Sequence, residues 1–265
     1  MPQSIIAQLP GAHDDETSTK SIVLRLYLVR HGETEANRNK IAAGQAESSL
    51  TGIGIQEAST LSTSIEHIAF DKLVVSDMER TRHTARLVVP SATFELEPRL
   101  REMAKGAREG FPKILTYEEA LKMRQQSAED LGDLPLLESN NDVWNRVSDW
   151  LLEAIREAVA LRQHPSSKVY SCLAVTHAGV IRSMCAHLVP RQLPESIDTS
   201  DMGQDGATQS HLVVPTTSVT ILDFSLRDSS CDLTDLLDLR SAQELLEIKL
   251  KLLTWHKHVH NLNKN

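Results

Sequence analysis

The sequence has 265 residues, 40% of them hydrophobic and 24% charged, with a formal net charge of −8. That length suits one large α/β domain better than two small ones, and it suffices for a full core. An acidic chain is poorly suited to nucleic acid or an anionic membrane, since both need a basic face; an anionic ligand would require positive charge gathered locally. No apolar run approaches the length of a membrane span. Cys172, Cys185 and Cys231 show no paired spacing, and the N-terminus has no leader pattern. Reduced thiols in a cytoplasmic protein are therefore expected.

Taken in chain order, residues 1–20 are polar and unpatterned and read as a flexible tail. Ile22 to Val29 is a short β-rich run, a buried strand. Thr51 to Ile65 carries Ile55, Ala58, Leu61 and Ile65 near helical spacing. Lys72 to Ser76 predicts a second strand, and Ser76-Asp77-Met78-Glu79 a capping box that opens a helix at once. Thr116-Tyr117-Glu118-Glu119 is another box, for a helix running to about Glu129. Ser139 to Asp142 caps a long helix bearing Val143, Val147, Trp150, Leu151, Ala154, Ile155 and Val159. Lys168 to Thr176 is a third strand, followed by a helix from Gly179 to Leu188. Residues 191–211 read as a loop or mobile insertion. Val213 to Phe224 reads as a strand interrupted by Pro215, and residues 241–260 as a helix. Alternating strands and helices predict a three-layer α/β/α sandwich with a mainly parallel central sheet. The expected organisation is a tail (1–20), one catalytic domain (21–226) and a C-terminal helical extension (227–265).

Ligands of such sheets bind at the carboxyl ends of strands. Three predicted strand ends are followed by chemically capable residues: Arg30-His31, Ser76 through Arg80, and His177. An imidazole with one nitrogen unprotonated and the other anchored can attack phosphorus. An arginine beside it offers a planar fork matched to phosphate oxygens. Gly32 would let phosphate approach the backbone closely.

Leu28-Val29-Arg30-His31-Gly32-Glu33-Thr34-Glu35-Ala36-Asn37 resembles the signature of the histidine phosphatase (phosphoglycerate mutase-like) superfamily at every specified position. Ser76 through Ala85 resembles the family's second block, with Arg80 as the second phosphate clamp. Leu100-Arg101-Glu102, with Gly106 and Glu109-Gly110, resembles the block that holds the general acid. Thr176-His177-Ala178-Gly179 resembles the second histidine block, with Ala178 where many relatives have Gly. Gly44-Gln45 looks like the substrate loop.

The resemblance implies a phosphoglycerate mutase-like fold and hydrolysis of a small phosphorylated metabolite. His31 would be the nucleophile and phosphohistidine carrier. Glu102 would protonate the leaving oxygen and then deprotonate water. A cationic His177 would stabilise the transferring phosphoryl group. Arg30, Gly32, Asn37, Gln45, Arg80 and Ala178 would contact substrate. Two arginines and two histidines neutralise the charge without a metal or cofactor, and no carboxylate cluster suggests one. His256, His258 and His260 read as a solvated helix end; Arg82 and His83 read as surface and structural residues.

Phosphoglycerate mutases of this superfamily carry paired arginines where this chain has Gln125-Gln126, and neutral amides do not replace guanidinium groups at a bidentate anion site. Hydrolysis is therefore expected over mutase activity. Arg99-Leu100-Arg101-Glu102 and Val214-Pro215-Thr216-Thr217 most resemble fructose-2,6-bisphosphatases of the TIGAR type. A catalytically silent binding protein on this fold is the alternative of another class, and all five expected catalytic positions being filled speaks against it.

Overall fold

The structure is a computed structural model, and it describes residues 22–127, 136–161, 169–189, 212–226 and 246–253. Strand β1 (Ile22–Arg30) is buried along its length until Arg30, as a strand covered on both faces must be. It lies inside a six-stranded sheet with β2 (Lys72–Val75), β3 (Glu95–Leu96), β4 (Tyr170–Thr176), β5 (Val219–Leu226) and β6 (Leu246–Leu253), in the order β3-β2-β4-β1-β5-β6. The first four run parallel; β5 is antiparallel to β1, and β6 to β5.

Side-chain alternation along β1 feeds two cores. Leu24, Leu26 and Leu28 pack with α5 (Asn140–Ala160) and α6 (Ala178–Leu188) through Val147, Leu151, Ile155, Ile181 and Met184. Tyr27 and Val29 pack with α2 (Gly52–Ile65) and α3 (Glu79–Val88) through Ala58, Leu61, Ala85 and Val88. Helices on both faces make the expected three layers. Arg25 is the polar interruption of β1, and it forms a buried two-pronged ion pair with its cross-strand neighbour Asp223 (2.6 and 2.9 Å).

Two capping boxes form as expected, Thr116 on α4 (Tyr117–Gln126) and Ser139 on α5. Helix α4 stops at Gln126 rather than near Glu129, with the Ser127 hydroxyl donating back to Met123 and Arg124 carbonyls. The box expected at Ser76 does not form. Helix α3 begins at Glu79 with Met78 as an N-cap that makes no side-chain bond, because the Ser76 hydroxyl is engaged by His177.

The last expected strand begins later, at Val219. Residues 212–218 turn instead, with Thr217 in the left-handed region (φ 53°). The helix expected over 241–260 is corrected as well. Leu246–Leu253 is a strand paired residue for residue with β5, from Leu226↔Leu246 to Val219↔Leu253. Leu246, Ile248, Leu250 and Leu252 alternate with Glu247, Lys249 and Lys251, a period of two that fits a sheet edge. That part of the C-terminal extension joins the domain's sheet. Residues 1–20 and 191–211, Cys231 and the His256–His260 run lie outside the described residues.

Candidate active site

The three chemical segments meet at the carboxyl edge of the sheet. Backbone bonds tie them together there: His31 N–H donates to Thr176 O (3.0 Å) and Ser76 N–H to Val175 O (3.0 Å). The imidazoles of His31 and His177 stand edge to face, 5.1 Å between centroids. Both are buried.

His31 Nδ1 lies 2.8 Å from the carbonyl oxygen of Gly32. A carbonyl only accepts, so Nδ1 carries the proton and Nε2 is the basic nitrogen of the neutral ring. His177 Nε2 lies 3.0 Å from the Ser76 hydroxyl, while its Nδ1 is buried with no partner among the described residues.

Arg80 emerges from the first turn of α3 and is almost fully buried. Its Nη2 donates to Gly44 O (2.6 Å) and its Nη1 to Ala46 O (2.8 Å); its Nε, also buried, has no partner among the described residues. Arg30 reaches Val214 O through Nη1 (2.5 Å).

These cations govern the histidines. Burial first, then Arg30 and Arg80, holds His31 well below the ordinary imidazole range. Burial first, then Arg80, His31, Arg30 and Arg146, does the same to His177. Burial and the neighbouring guanidinium groups thus work against the cationic ring expected of His177.

Glu102 sits at the start of α6. Its Oε1 accepts the amides of Met103 (2.8 Å) and of Gly179 in the first turn of α6 (3.1 Å). A Cβ on residue 179 would stand 2.1 Å from that oxygen, so any side chain there would push the Glu102 carboxylate aside. Glu102, Arg30, His31, Asn37, Arg80 and Ala178 all line one cleft of about 1020 Å³. Lys105, Arg108, Lys113 and Arg182 line it too, which gathers positive charge locally in an acidic chain.

Other expected ligands have different neighbours. Gly32 does not line the cleft; a Cβ there would lie 2.6 Å from Gly54 O, and its N–H donates to Thr84 Oγ1 (3.0 Å). Its smallness serves the packing of α2 against the nucleophile turn. Asn37 Oδ1 accepts from the Thr34 amide and hydroxyl, capping the short helix α1 (Glu35–Arg38). Gln45 Nε2 donates to the Glu102 carbonyl (3.1 Å), so it braces the acid segment. Arg82 is half-exposed and pairs with Glu79.

Two further residues brace the site through backbone carbonyls. Arg146 on α5 donates to the carbonyls of Arg99 (2.5 Å) and Glu102 (3.2 Å) and pairs with Glu138 at 2.8 Å. Thr217 N–H reaches the carbonyls of Arg30 (3.1 Å) and His31 (3.3 Å). Both partnerships join residues far apart in sequence; Thr217 lies in the 214–217 stretch that carries the family resemblance, but its partners are not legible there.

The family model described as "Histidine phosphatase superfamily (branch 1)" matches residues 26–233. The chain belongs to the histidine phosphatase superfamily. It is 33% identical over 169 residues to an adenosylcobalamin/alpha-ribazole phosphatase of Salmonella typhimurium, a match covering 63% of this chain and 80% of that one. It is 31% identical over 168 residues to a protein of Proteus mirabilis named "Probable phosphoglycerate mutase GpmB", covering 60% and 76%. A crystal structure of phosphoglycerate mutase from Bacillus anthracis superposes with a TM-score of 0.56 at 25% identity, covering 78% of this chain and 90% of that one. This member of the superfamily is thus a phosphatase with a phosphoglycerate mutase-like fold. Among its described residues no helix is long and apolar enough to cross a membrane.

Proposed function

We propose that the protein is a metal-independent phosphomonoesterase that works through a phosphohistidine on His31 and acts on small phosphorylated metabolites. The observation that carries this reading is the pair of buried nitrogens Arg80 Nε and His177 Nδ1, neither with a hydrogen-bond partner among the described residues, on the two residues whose charge or ring acts on His31. Buried polar atoms are costly without partners. A tetrahedral dianion would satisfy both and compensate the buried arginines.

In this mechanism His31 Nε2 attacks phosphorus while the bond to the leaving oxygen breaks. The low proton affinity of His31 keeps that nitrogen free at neutral pH. A protonated Glu102 gives its proton to the leaving oxygen. Water then attacks phosphorus, the P–N bond breaks, Glu102 takes a proton from the water, and inorganic phosphate leaves. Arg30, Arg80 and His177 neutralise the phosphoryl oxygens. With Ser76 donating to Nε2, His177 presents an Nδ1–H donor to the phosphate. Ala178 and Asn37, at the cleft wall, would contact substrate; Gln45 would act through Glu102, and Gly32 through packing.

The cleft extends well beyond one phosphate and carries cations outside the His31 centre, which supports a substrate such as a sugar bisphosphate, fructose 2,6-bisphosphate included. An acidic chain gives no support to a nucleic-acid or membrane partner. Cys172 and Cys185 are free and buried, with thiols pushed up to about 12, and suit a reducing cytoplasm.

Mutase activity is the second reading, favoured by the Proteus mirabilis relative's name. Against it, Gln125 and Gln126 are exposed, and Arg124 is spent internally on the carbonyls of Ala107 and Glu109 and on the Phe111 ring.

The test is p-nitrophenyl phosphate hydrolysis with EDTA, followed by phosphate release from a phosphometabolite panel and an assay for 3- to 2-phosphoglycerate interconversion. EDTA-resistant hydrolysis is expected, with interconversion weak beside it. Activity that needs added Mg²⁺ or Mn²⁺ would sink the mechanism, and no hydrolysis at all would favour a silent binding protein. Glu102→Gln should accumulate phosphohistidine on the His31 peptide from p-nitrophenyl phosphate, and His31→Ala should show none.

A further inference from the structure

We propose that Glu109 is a positioning residue that sets Arg80 and Glu102 relative to each other. The proposal rests on the phosphatase reading above. Glu109 is the second carboxylate of the acid segment, yet it is buried and does not line the cleft. Its Oε1 accepts two backbone N–H groups, from Gln45 and Lys105, both at 2.9 Å.

Those amides belong to the two segments that aim the chemistry. Gln45 lies between Gly44 and Ala46, whose carbonyls hold both Nη atoms of Arg80. Lys105 stands three residues after Glu102, and the Glu102 carbonyl in turn accepts from Gln45 Nε2. A single carboxylate oxygen therefore joins the loop that orients the second phosphate clamp to the loop that orients the proton carrier.

The joint admits little else. Gly44 has φ +52°, and a Cβ there would lie 2.1 Å from Glu109 Oε1. The carboxylate is also delivered from a fixed segment. Glu109 N–H donates to Gly106 O (3.0 Å), Gly110 N–H to Ala42 O (2.9 Å), and the Arg124 guanidinium holds the Glu109 carbonyl. A carboxylate holding two amides in a buried site stands in for a strand pairing that these irregular loops cannot make.

The experiment compares Glu109→Ala and Glu109→Gln in the whole protein. Glutamine keeps an oxygen that can accept both N–H groups; alanine has none. Three quantities are measured: amide hydrogen exchange in peptides spanning 43–47 and 103–107, inorganic phosphate affinity by calorimetry, and kcat and KM on p-nitrophenyl phosphate and on a sugar phosphate. For Glu109→Ala we expect faster exchange in both peptides and weaker phosphate binding. Its kcat/KM should fall by about 10- to 100-fold on the sugar phosphate, the scale of a misplaced catalytic group. The loss on p-nitrophenyl phosphate should be smaller, because its leaving group needs Glu102 less. Glu109→Gln should restore exchange protection and most of the activity.

Unchanged exchange in Glu109→Ala would overturn the proposal. So would equal losses in the two variants, or an equal loss on both substrates with phosphate affinity intact. If the wild-type protein hydrolyses neither substrate, the phosphatase reading fails, and the exchange and phosphate-binding results still decide the role of Glu109.

Discussion

The Gly179 amide donates to Glu102 Oε1 at 3.1 Å, and that same oxygen stands 2.1 Å from where a methyl group on residue 179 would be. Gly179→Ala must therefore displace the carboxylate or the start of α6. Hydrolysis of a sugar phosphate is expected to drop about 10²-fold, the scale of lost general acid–base help. The drop on p-nitrophenyl phosphate should be smaller, with the melting temperature little changed. Steady-state rates on both substrates check this, and equal losses would mean that the collision disturbs something other than Glu102.

Ser76→Ala leaves His177 Nε2 without its partner, so ring orientation and tautomer are no longer fixed. A hydrogen bond of this kind is worth about 1 kcal/mol net, so kcat/KM should fall about fivefold to tenfold. Ser76→Thr, which keeps a hydroxyl, should lose less. Nitrogen-15 NMR of the His177 ring gives the tautomer directly, and an unchanged spectrum in Ser76→Ala would contradict the assigned role.

The two imidazoles make stability depend on pH. In the unfolded chain they bind protons at about pH 6.5. In the folded protein burial, reinforced by the arginines, puts that well lower. Below about pH 6.5 the unfolded state thus binds more protons, so the associated stability is complete above that pH and lost as pH falls beneath it. Urea midpoints should decline from pH 7 to pH 5, and less steeply in the His31→Gln, His177→Gln double variant. An identical decline in that variant would assign the effect to other groups.

Asp223→Ala removes the carboxylate that balances the Arg25 charge in the sheet interior, where both partners are almost fully buried. Breaking such a pair costs about 3–5 kcal/mol, whereas replacing both partners by apolar residues is often neutral. Urea denaturation should therefore show a large loss in Asp223→Ala and a much smaller one in Arg25→Met, Asp223→Leu. If the double variant is no more stable than the single, the ion pair itself supplies net stability.

What could be read locally in the sequence was read well. The β1 run, the Thr116 and Ser139 boxes and the amphipathic face of α5 each involve residues within a few positions of one another. The family resemblance and the strand-end rule point to Arg30, His31, Arg80 and Glu102, which line one cleft, and to His177, whose ring lies against His31. The Ser76 box failed because its hydroxyl has a partner 101 residues away. The C-terminal helix failed because Leu245, Leu246, Ile248, Leu252 and Leu253 satisfy a helical spacing while 246–253 also alternates, and pairing with β5 decided between the two. Glu109 and Thr217 lie in stretches that carry the family resemblance and Arg146 in none, and all three act through backbone groups of other segments, so their partners are not legible in the sequence.

The clasp between Arg30 and the 214–218 turn has a consequence for synthesis. Arg30 and Val214 are 184 residues apart, and Thr217 spans a similar distance to His31. A ribosome making about 5–20 residues per second needs on the order of 10–40 s to cover that interval. Throughout it the growing chain carries its entire nucleophile signature with neither the Val214 nor the Thr217 anchor made. The anchors of the nucleophile turn are complete only once β5 has been translated and has closed against β1.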